Sequence, residues 1–524
     1  MSQGNSMTES IAGNAVDWFL DRHPREGNGD RTAFIDPWRT QTYAALARES
    51  ARFAGALQAG GIGRERRIAL ILLDTIDFPI AFWGALKAGV VPVPINTLLT
   101  ADVTRYILAD SRAEAVVVSA PLAGPLLDVF RSLPDLRQVI VSQPDGGVAD
   151  VPLGIAFPDF LVSGNPETGT MPVSPDEVAF WLYSSGSTGA PKGVRHAHVN
   201  LRHTADTYGS QVLKIEPSDT MFSVAKAFHA YGLGNSLTFP MAVGASAVLL
   251  PDRPTPDAVL GVMGKYNPSM FGGVPTLYAS LLAHPMIGPG AGSGRLRRCI
   301  SAGEALPADI GLRWKALVGT DILDGIGSTE MLHIFVSNQT DDIRYGSSGK
   351  PVPGYEAKIL DDHGHIVPNG EAGELVVRGP SAADGYWNQR EKTRKTFRGE
   401  WTHTGDTYIR DAEGYFRYQG RSDEMLKVSG VWVSPFEVEE ALISHQAVLE
   451  AAVVGHQDGD GLTKPRAFVI LKDPSADTSA LTEALKAHVK DRIGVWKYPR
   501  WIVFCDTLPK TATGKIQRFR LRDI

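Results

Sequence analysis

Cysteine is almost missing: the 524 residues hold two, Cys299 and Cys505, which excludes a disulfide scaffold. Each sits in an apolar stretch that reads as a buried strand, so both are expected to be core thiols. No apolar run approaches the ~18 residues of a membrane span. Residues 1–10 lack the basic and apolar regions of a signal peptide, so the expectation is a cytoplasmic chain with no membrane partner. Nor is there a long run of one charge: 52 Lys and Arg against 58 Asp and Glu leave a formal charge of −6, which argues against a nucleic-acid partner. With 43% apolar and 21% charged residues, the usage is that of a globular chain rather than a fibrous or disordered one. Internal repeats and low-complexity segments are absent.

The length itself exceeds the ~250–300 residues at which one hydrophobic core stops growing, so more than one domain is expected. Between residues 40 and 360, apolar runs alternate with helical patterns. Ile68 to Leu73, Val90 to Ile95, Ala115 to Ser119 and Val139 to Ser142 are apolar without alternation, which predicts strands buried on both faces. Leu46, Phe53 and Leu57 recur at helical spacing between Tyr43 and Gly60. The fold class is therefore α/β. After residue 355, short strands separated by Asp-Gly and Asn-Gly turns predict a small antiparallel region (355–360, 374–378 and 414–418). Beyond Arg421 comes an α+β unit with helices at 435–444 and 479–493 and strands near 449–455 and 466–472. Ser434, Pro435 and Glu437 form a capping-box start for the first helix. The boundary is placed at 421/422, giving an N-terminal domain 1–421 and a C-terminal domain 422–524. The stretch 285–294 reads as a flexible loop.

Chemistry is concentrated in four segments. Tyr183-Ser-Ser-Gly-Ser-Thr-Gly-Ala-Pro-Lys-Gly193 follows the apolar run Val178 to Leu182. A strand thus feeds a loop whose glycines let backbone N–H groups approach an anion, while Ser and Thr hydroxyls and Lys192 add donors and charge. It is not a Walker A loop, because the Lys follows Pro191 and precedes Gly193. Asp324-Gly-Ile-Gly-Ser-Thr-Glu330 offers a carboxylate for Mg²⁺ and a hydroxyl for a phosphate oxygen, although alone it could be an ordinary turn. Thr404-Gly-Asp406 is followed fourteen residues on by Gly420-Arg-Ser-Asp423, and Pro509-Lys-Thr-Ala-Thr-Gly-Lys515 closes the set.

In order and spacing these segments resemble the signature motifs of the adenylate-forming superfamily: acyl-CoA synthetases, firefly luciferases and peptide-synthetase adenylation domains. The resemblance runs from about residue 30 to the end. Ala225 to Asn235, Ser301 to Pro307, Gly327 to Ile334 and Lys427 to Pro435 are most similar to benzoate-CoA ligases. The resemblance implies a large N-terminal domain of stacked α/β subdomains with a small antiparallel region, then a small mobile C-terminal domain. It implies that Ser184, Ser185, Gly186, Ser187, Thr188, Gly189 and Lys192 hold the ATP phosphates, and that Thr329 and Glu330 serve phosphate and Mg²⁺. Asp406 would accept from the ribose with Arg421 beside it. Ala302, Gly303, Glu304, Asp324, Gly325 and Ile326 would wall the adenine, with Ile326 standing where the superfamily often has a stacking aromatic. His229 would lie beside the carboxylate and guard the thiol tunnel, at a place where benzoate-CoA ligases are expected to have Phe. Ala230, Tyr231, Gly327, His333 and Ile334 would line the acyl pocket.

The implied activity is ATP-dependent ligation of an aryl carboxylate to coenzyme A through an acyl-adenylate. Asp423 matches the hinge about which the C-terminal domain swings. Lys515 would face the active site during adenylation, and Lys427, Gly430 and Trp432 would form the pantetheine wall during thioester formation. Expected partners are the acid, ATP and coenzyme A, with a second copy of the chain and a lysine acetyltransferase and deacetylase acting on Lys515 as further candidates. Two alternatives stay open: an adenylation enzyme loading a carrier protein, disfavoured because the sequence stops nine residues after Lys515, and a nucleotide-binding regulator without chemistry.

Losing one positioned charge that stabilises a developing transition state costs ~2.7–4 kcal/mol. Lys515→Ala should therefore lower adenylation by about 10²–10³. The same variant, given ready-made benzoyl-adenylate, should still transfer the acyl group to coenzyme A; an equal loss in both half-reactions, followed by stopped-flow and thioester assays, would remove Lys515 from the adenylation step alone.

Overall fold

Apolar runs without alternation become parallel strands covered on both faces. The computed structural model describes residues 13–145, 154–184, 190–289, 293–421, 424–428, 431–459, 462–495, 497–510 and 516–522. They group into two compact units, one of residues 1–253, 328–333 and 380–393, the other of 254–327, 334–379 and 394–524. Both mix helices with sheets, as the α/β reading expects.

In the first unit, five parallel strands lie in the order Val91–Pro94, Arg67–Ile71, Ala115–Ser119, Gln138–Ser142, Gly154–Ala156. The first four are buried at nearly every residue, which is why no polar alternation marked them. The helix Tyr43–Ala59 starts at Thr42, whose hydroxyl accepts from the Ala45 N–H at 3.2 Å, and buries Leu46, Phe53 and Leu57. A second helix, Asp77–Lys87, meets it through Gly84, where a Cβ would lie 2.7 Å from the Phe53 Cβ. Any larger residue there would push the helices apart.

A smaller antiparallel sheet of this unit has the order Gly385–Tyr386, Lys192–Ala197, Val178–Ser184. Ser184 pairs with Lys192 across it. Ser185, Gly186, Ser187, Thr188 and Gly189, which fall between the two strands in the sequence, lie outside the described residues.

In the second unit, Met270–Gly273, Arg298–Ser301 and Ile322–Gly327 run parallel, and Ile334–Ser337 and Lys350–Pro351 add antiparallel edges. The expected antiparallel region is a sheet of Glu356–Leu360, Ala372–Arg378, Trp401–Arg410 and Phe416–Arg421, with the short Phe397–Arg398. Further on, the helices Pro435–Ile443 and Thr478–Ile493 share an apolar core with Val448–Gln457, Thr463–Leu471 and Trp501–Phe504.

Two local expectations are corrected. Cys299 is buried in its strand, where burial pushes the thiol up to about 12, but Cys505 is only half-buried. It lies just past Trp501–Phe504, an edge strand in which every residue is partly exposed. The capping box is half made: the Ser434 hydroxyl accepts from the Glu437 N–H at 3.1 Å, while the Glu437 carboxylate turns to Lys497 Nζ at 2.7 Å. Asp423, the proposed hinge, lies outside the described residues. Among the described residues no helix is long and apolar enough to cross a membrane.

Candidate active site

The residues expected at the ATP phosphates that the structure describes start from the strand Lys192–Ala197 in the first unit. Side chains alternate along a strand, so Lys192, Val194 and His196 share a face. Lys192 Nζ stands 4.0 Å from Glu330 Oε1, and the Tyr386 hydroxyl lies between them: it donates to Glu330 Oε1 at 2.8 Å and accepts from Lys192 Nζ at 3.3 Å. The Lys192 ammonium also sits 4.4 Å from the centre of the Tyr386 ring. Opposite charges at this separation attract by ~4 kcal/mol at an effective dielectric of ~20. Glu330 Oε2 has no protein partner among the described residues. A carboxylate oxygen is a hard donor of the kind Mg²⁺ takes, so the Glu330 side chain, with one oxygen held by Tyr386, fits that cation.

Residues 328–333, which carry Thr329 and Glu330, are fastened from two sides. His196 Nε2 donates to the Thr329 carbonyl at 2.8 Å, and the Asn200 amide reaches His196 Nδ1 and the Ala382 carbonyl, both at 3.2 Å. Ser381 Oγ donates to the Met331 carbonyl at 2.7 Å, and the Ala383 N–H donates to the Glu330 carbonyl at 2.8 Å. These clamps hold Leu332 at φ +66°, a left-handed conformation unfavourable for a leucine by about 1–3 kcal/mol. Burial pushes His196 down to about 4, so the ring is neutral and its Nε2–H tautomer serves Thr329.

His333, at the end of the same turn, is 3% exposed and pushed down to about 3 by burial. Its neutral ring donates from Nε2 to the Tyr231 carbonyl at 3.3 Å and is surrounded by Phe239, Tyr208 and Tyr231 at centroid distances of 4.5, 5.0 and 5.7 Å. Gly234 lets it in, since a Cβ there would lie 2.4 Å from His333 Cδ2. His333 Nδ1 has no protein partner among the described residues, nor has either amide atom of the fully buried Asn235. Ala230 and Tyr231 open the helix Ala230–Leu233, with His229 as its extended N-cap residue. The His229 N–H donates to the Lys226 carbonyl at 3.0 Å, and the ring meets Phe228 edge-on at 4.6 Å. Lys226 in turn donates to the carbonyls of Leu250 and Asp252, while buried Asp74 accepts from the Ala227 N–H at 3.2 Å. His333 and His196 take up protons in the unfolded chain near 6.5 but in the folded protein only near 3 and 4. Both therefore withdraw stability as pH falls below about 6.5 and leave it unaffected above 7.

The residues expected at the ribose and adenine lie in the second unit. Asp406 and Arg421 are register partners; Arg421 Nη1 donates to Asp406 Oδ1 at 3.1 Å and to the Thr404 carbonyl at 3.0 Å. Gly405, at φ +70°, passes so close that a Cβ would sit 2.9 Å from Arg421 Nη2. Ala302 is buried, Gly303 has φ +97°, and Glu304 Oε1 accepts from the Ile516 N–H at 2.9 Å. The Asp324 carboxyl is held inside, and burial raises its pKa well above the ordinary range against the Leu306 and Gly325 N–H groups and the Ser301 hydroxyl. Gly325 has no room for a side chain, its Cβ position being 2.8 Å from Ile334 Cγ2; Gly327 pairs with the buried Ile334, and Ile326 is partly exposed. Lys427 and Trp432 are register partners in a two-stranded ladder. Gly430 and Lys515 lie outside the described residues.

Tyr386, His196, Asn200, Gly234, Tyr208 and Phe239 were not foreseen. His196 was within reach, since period-two alternation from Lys192 puts it on the same face. Tyr386 was not, because only strand pairing brings it opposite Val194.

A glutamate held beside the lysine that ends a stretch of sequence rich in hydroxyls and glycines fits an acid ligase that works through a nucleotide. The chain belongs to the AMP-binding enzyme family, whose model matches residues 20–387, with the AMP-binding enzyme C-terminal domain matching 437–515. It is an AMP-forming acid–CoA ligase that uses ATP, Mg²⁺ and coenzyme A. It is 52% identical to the benzoate–CoA ligase of Thauera aromatica over 97% of this chain and 95% of that enzyme. The crystal structure of a benzoate CoA ligase from Burkholderia xenovorans LB400 superposes with a TM-score of 0.91 at 49% identity, covering 97% of this chain and 99% of that one. The anthranilate CoA ligase AuaEII in complex with anthranoyl-AMP gives 0.93 at 42% identity, covering 98% and 97%.

Gly234→Ala should push the His333 ring aside and lower kcat/KM for the aryl acid by about tenfold, within the ~1–3 kcal/mol that overpacking costs. The KM for ATP should stay within about twofold. Because His333 is already neutral, the shape of the pH profile between about pH 6 and 8 should match that of the parent. Steady-state kinetics with each substrate varied would show this, and equal changes in both KM values would take His333 out of the acyl site.

Proposed function

We propose that the acid is benzoate or a small substituted benzoate, joined to coenzyme A in two steps. A carboxylate oxygen attacks the α-phosphorus of ATP as the bond to the β-phosphate breaks, giving acyl-adenylate and pyrophosphate. The coenzyme A thiolate then attacks the acyl carbon, the bond to the AMP oxygen breaks, and AMP departs. Lys192 and Lys515 offset the negative charge that gathers on the phosphates, and Thr329 donates to one of them. Magnesium, when bound at Glu330, supplies further neutralisation. Asp406 binds the ribose, and Ala302 to Glu304 with Asp324 to Ile326 bound the adenine. Rotation at Asp423 exchanges Lys515 for the Lys427 to Trp432 segment. In this reading the enzyme is cytoplasmic and forms a homodimer, and a lysine acetyltransferase and deacetylase act on Lys515, since acetylation removes its charge.

The observation that carries the aryl reading is the cluster of His333 with Phe239, Tyr208 and Tyr231, which puts bulky flat side chains at the expected acyl residues, a lining that suits a ring better than a long chain. The relatives act on benzoate and on anthranilate by their names. A second reading, a hydroxy- or amino-benzoate, is supported by His333 Nδ1 and the Asn235 amide, which have no partner among the described residues, because buried polar atoms without partners suit a ligand that supplies one.

AMP release across a panel of aryl, cyclohexyl and straight-chain acids tests both. Ring acids of benzoate size should exceed octanoate by at least ~10-fold in kcat/KM. Comparable turnover of octanoate and benzoate would overturn the aryl reading. A hydroxy- or amino-benzoate surpassing benzoate would favour the second. Thioester formation on free coenzyme A, rather than only on a carrier protein, separates the ligase from a loading enzyme.

A further inference from the structure

Tyr386 belongs to none of the signature segments, yet it is 4% exposed and touches both charged groups of the phosphate end. Its backbone is fixed by the sheet. Gly385 pairs with Arg195 and Tyr386 with Val194. On either side the Asp384 N–H donates to the Arg195 carbonyl at 3.0 Å and the Trp387 N–H to the Gly193 carbonyl at 2.8 Å. The Tyr386 N–H donates to Thr393 Oγ1 at 3.0 Å. The phenol is therefore carried on the strand next to the one that carries Lys192, and its place does not depend on a loop.

A hydroxyl can accept and donate at once, and this one does both: Lys192 Nζ donates to it at 3.3 Å, and it donates to Glu330 Oε1 at 2.8 Å. Without it, the two opposite charges would close into a direct ion pair. Lys192 would then occupy the carboxylate face that a cation needs, and Glu330 would cancel charge that the phosphates need. With it, one oxygen of Glu330 is engaged and Oε2 has no protein partner among the described residues. A phenylalanine would preserve the packing and the face presented to Lys192 but could do neither task.

We propose that Tyr386 is a positioning residue for the divalent cation that accompanies ATP: its hydroxyl orients the Glu330 carboxylate and keeps Lys192 from closing onto it. The inference rests on the assignment of Glu330 to the cation. Partners that orient a metal-ligating carboxylate change metal affinity by about 10–100-fold when removed.

The test is equilibrium binding of ATP to the full-length enzyme by isothermal titration calorimetry, with excess Mg²⁺ and with EDTA, supported by electron paramagnetic resonance of Mn²⁺ in the ATP complex. In Tyr386→Phe the enhancement of ATP binding by Mg²⁺ should fall by at least about tenfold and Mn²⁺ should bind more weakly. ATP binding in EDTA should change by no more than about twofold. An enhancement within about twofold of the parent would overturn the proposal. So would an equal loss of ATP binding with and without Mg²⁺, because the phenol would then act on the nucleotide or the fold. Glu330→Gln, measured beside it, separates the two assignments. If it leaves the enhancement intact, Glu330 does not hold the cation and the role of Tyr386 falls with it; if it abolishes the enhancement while Tyr386→Phe retains it, only the role of Tyr386 is wrong.

Discussion

Six residues, 328–333, carry both the carboxylate assigned to the phosphate end and the imidazole assigned to the acyl end, and the account depends on their backbone being held still. Three hydrogen bonds to their main-chain carbonyls do so, from His196 to Thr329, from Ser381 to Met331 and from Ala383 to Glu330, and a fourth, from Asn200 to Ala382, ties the segment alongside. Leu332 at φ +66° shows that these bonds outweigh a local preference of the chain. A relaxed turn would alter the separation of Glu330 and His333. On the proposed assignments that separation sets the distance between phosphate and acid, where small misplacements are costly.

Burial sets the charge pattern on this frame. His196 and His333 are neutral because desolvation lowers both, so one serves as a fixed donor and the other as a neutral wall beside an aromatic ring. Lys192 and Glu330 remain partly accessible and face each other across a phenol. In the second unit, the Arg421 and Asp406 pair and the contact from Ile516 to Glu304 follow the same pattern, with one hydrogen bond aligning a group next to a residue assigned to ATP or to Lys515.

Much of this was legible in the sequence. Strands covered on both faces were readable as unbroken apolar runs, and Tyr43–Ala59 as a helical apolar stripe, because local pattern and burial agree there. The signature segments were readable because their chemistry lies in short contiguous stretches. What failed depended on distant pairing. Tyr386 reaches Lys192 only through a ladder between far-apart strands, and Gly234 matters only because His333 folds against it. Edge position left Cys505 half-exposed, and Lys497 drew Glu437 away from its cap.

The central claim is acyl activation through an adenylate, and the fate of the carboxylate oxygens tests it most directly. Benzoate labelled with ¹⁸O in both carboxyl oxygens is incubated with the enzyme, ATP, Mg²⁺ and coenzyme A, and the products are read by mass spectrometry. The account predicts AMP carrying one ¹⁸O, unlabelled pyrophosphate, and a thioester retaining the other ¹⁸O. ADP with labelled inorganic phosphate, or AMP free of label, would contradict it.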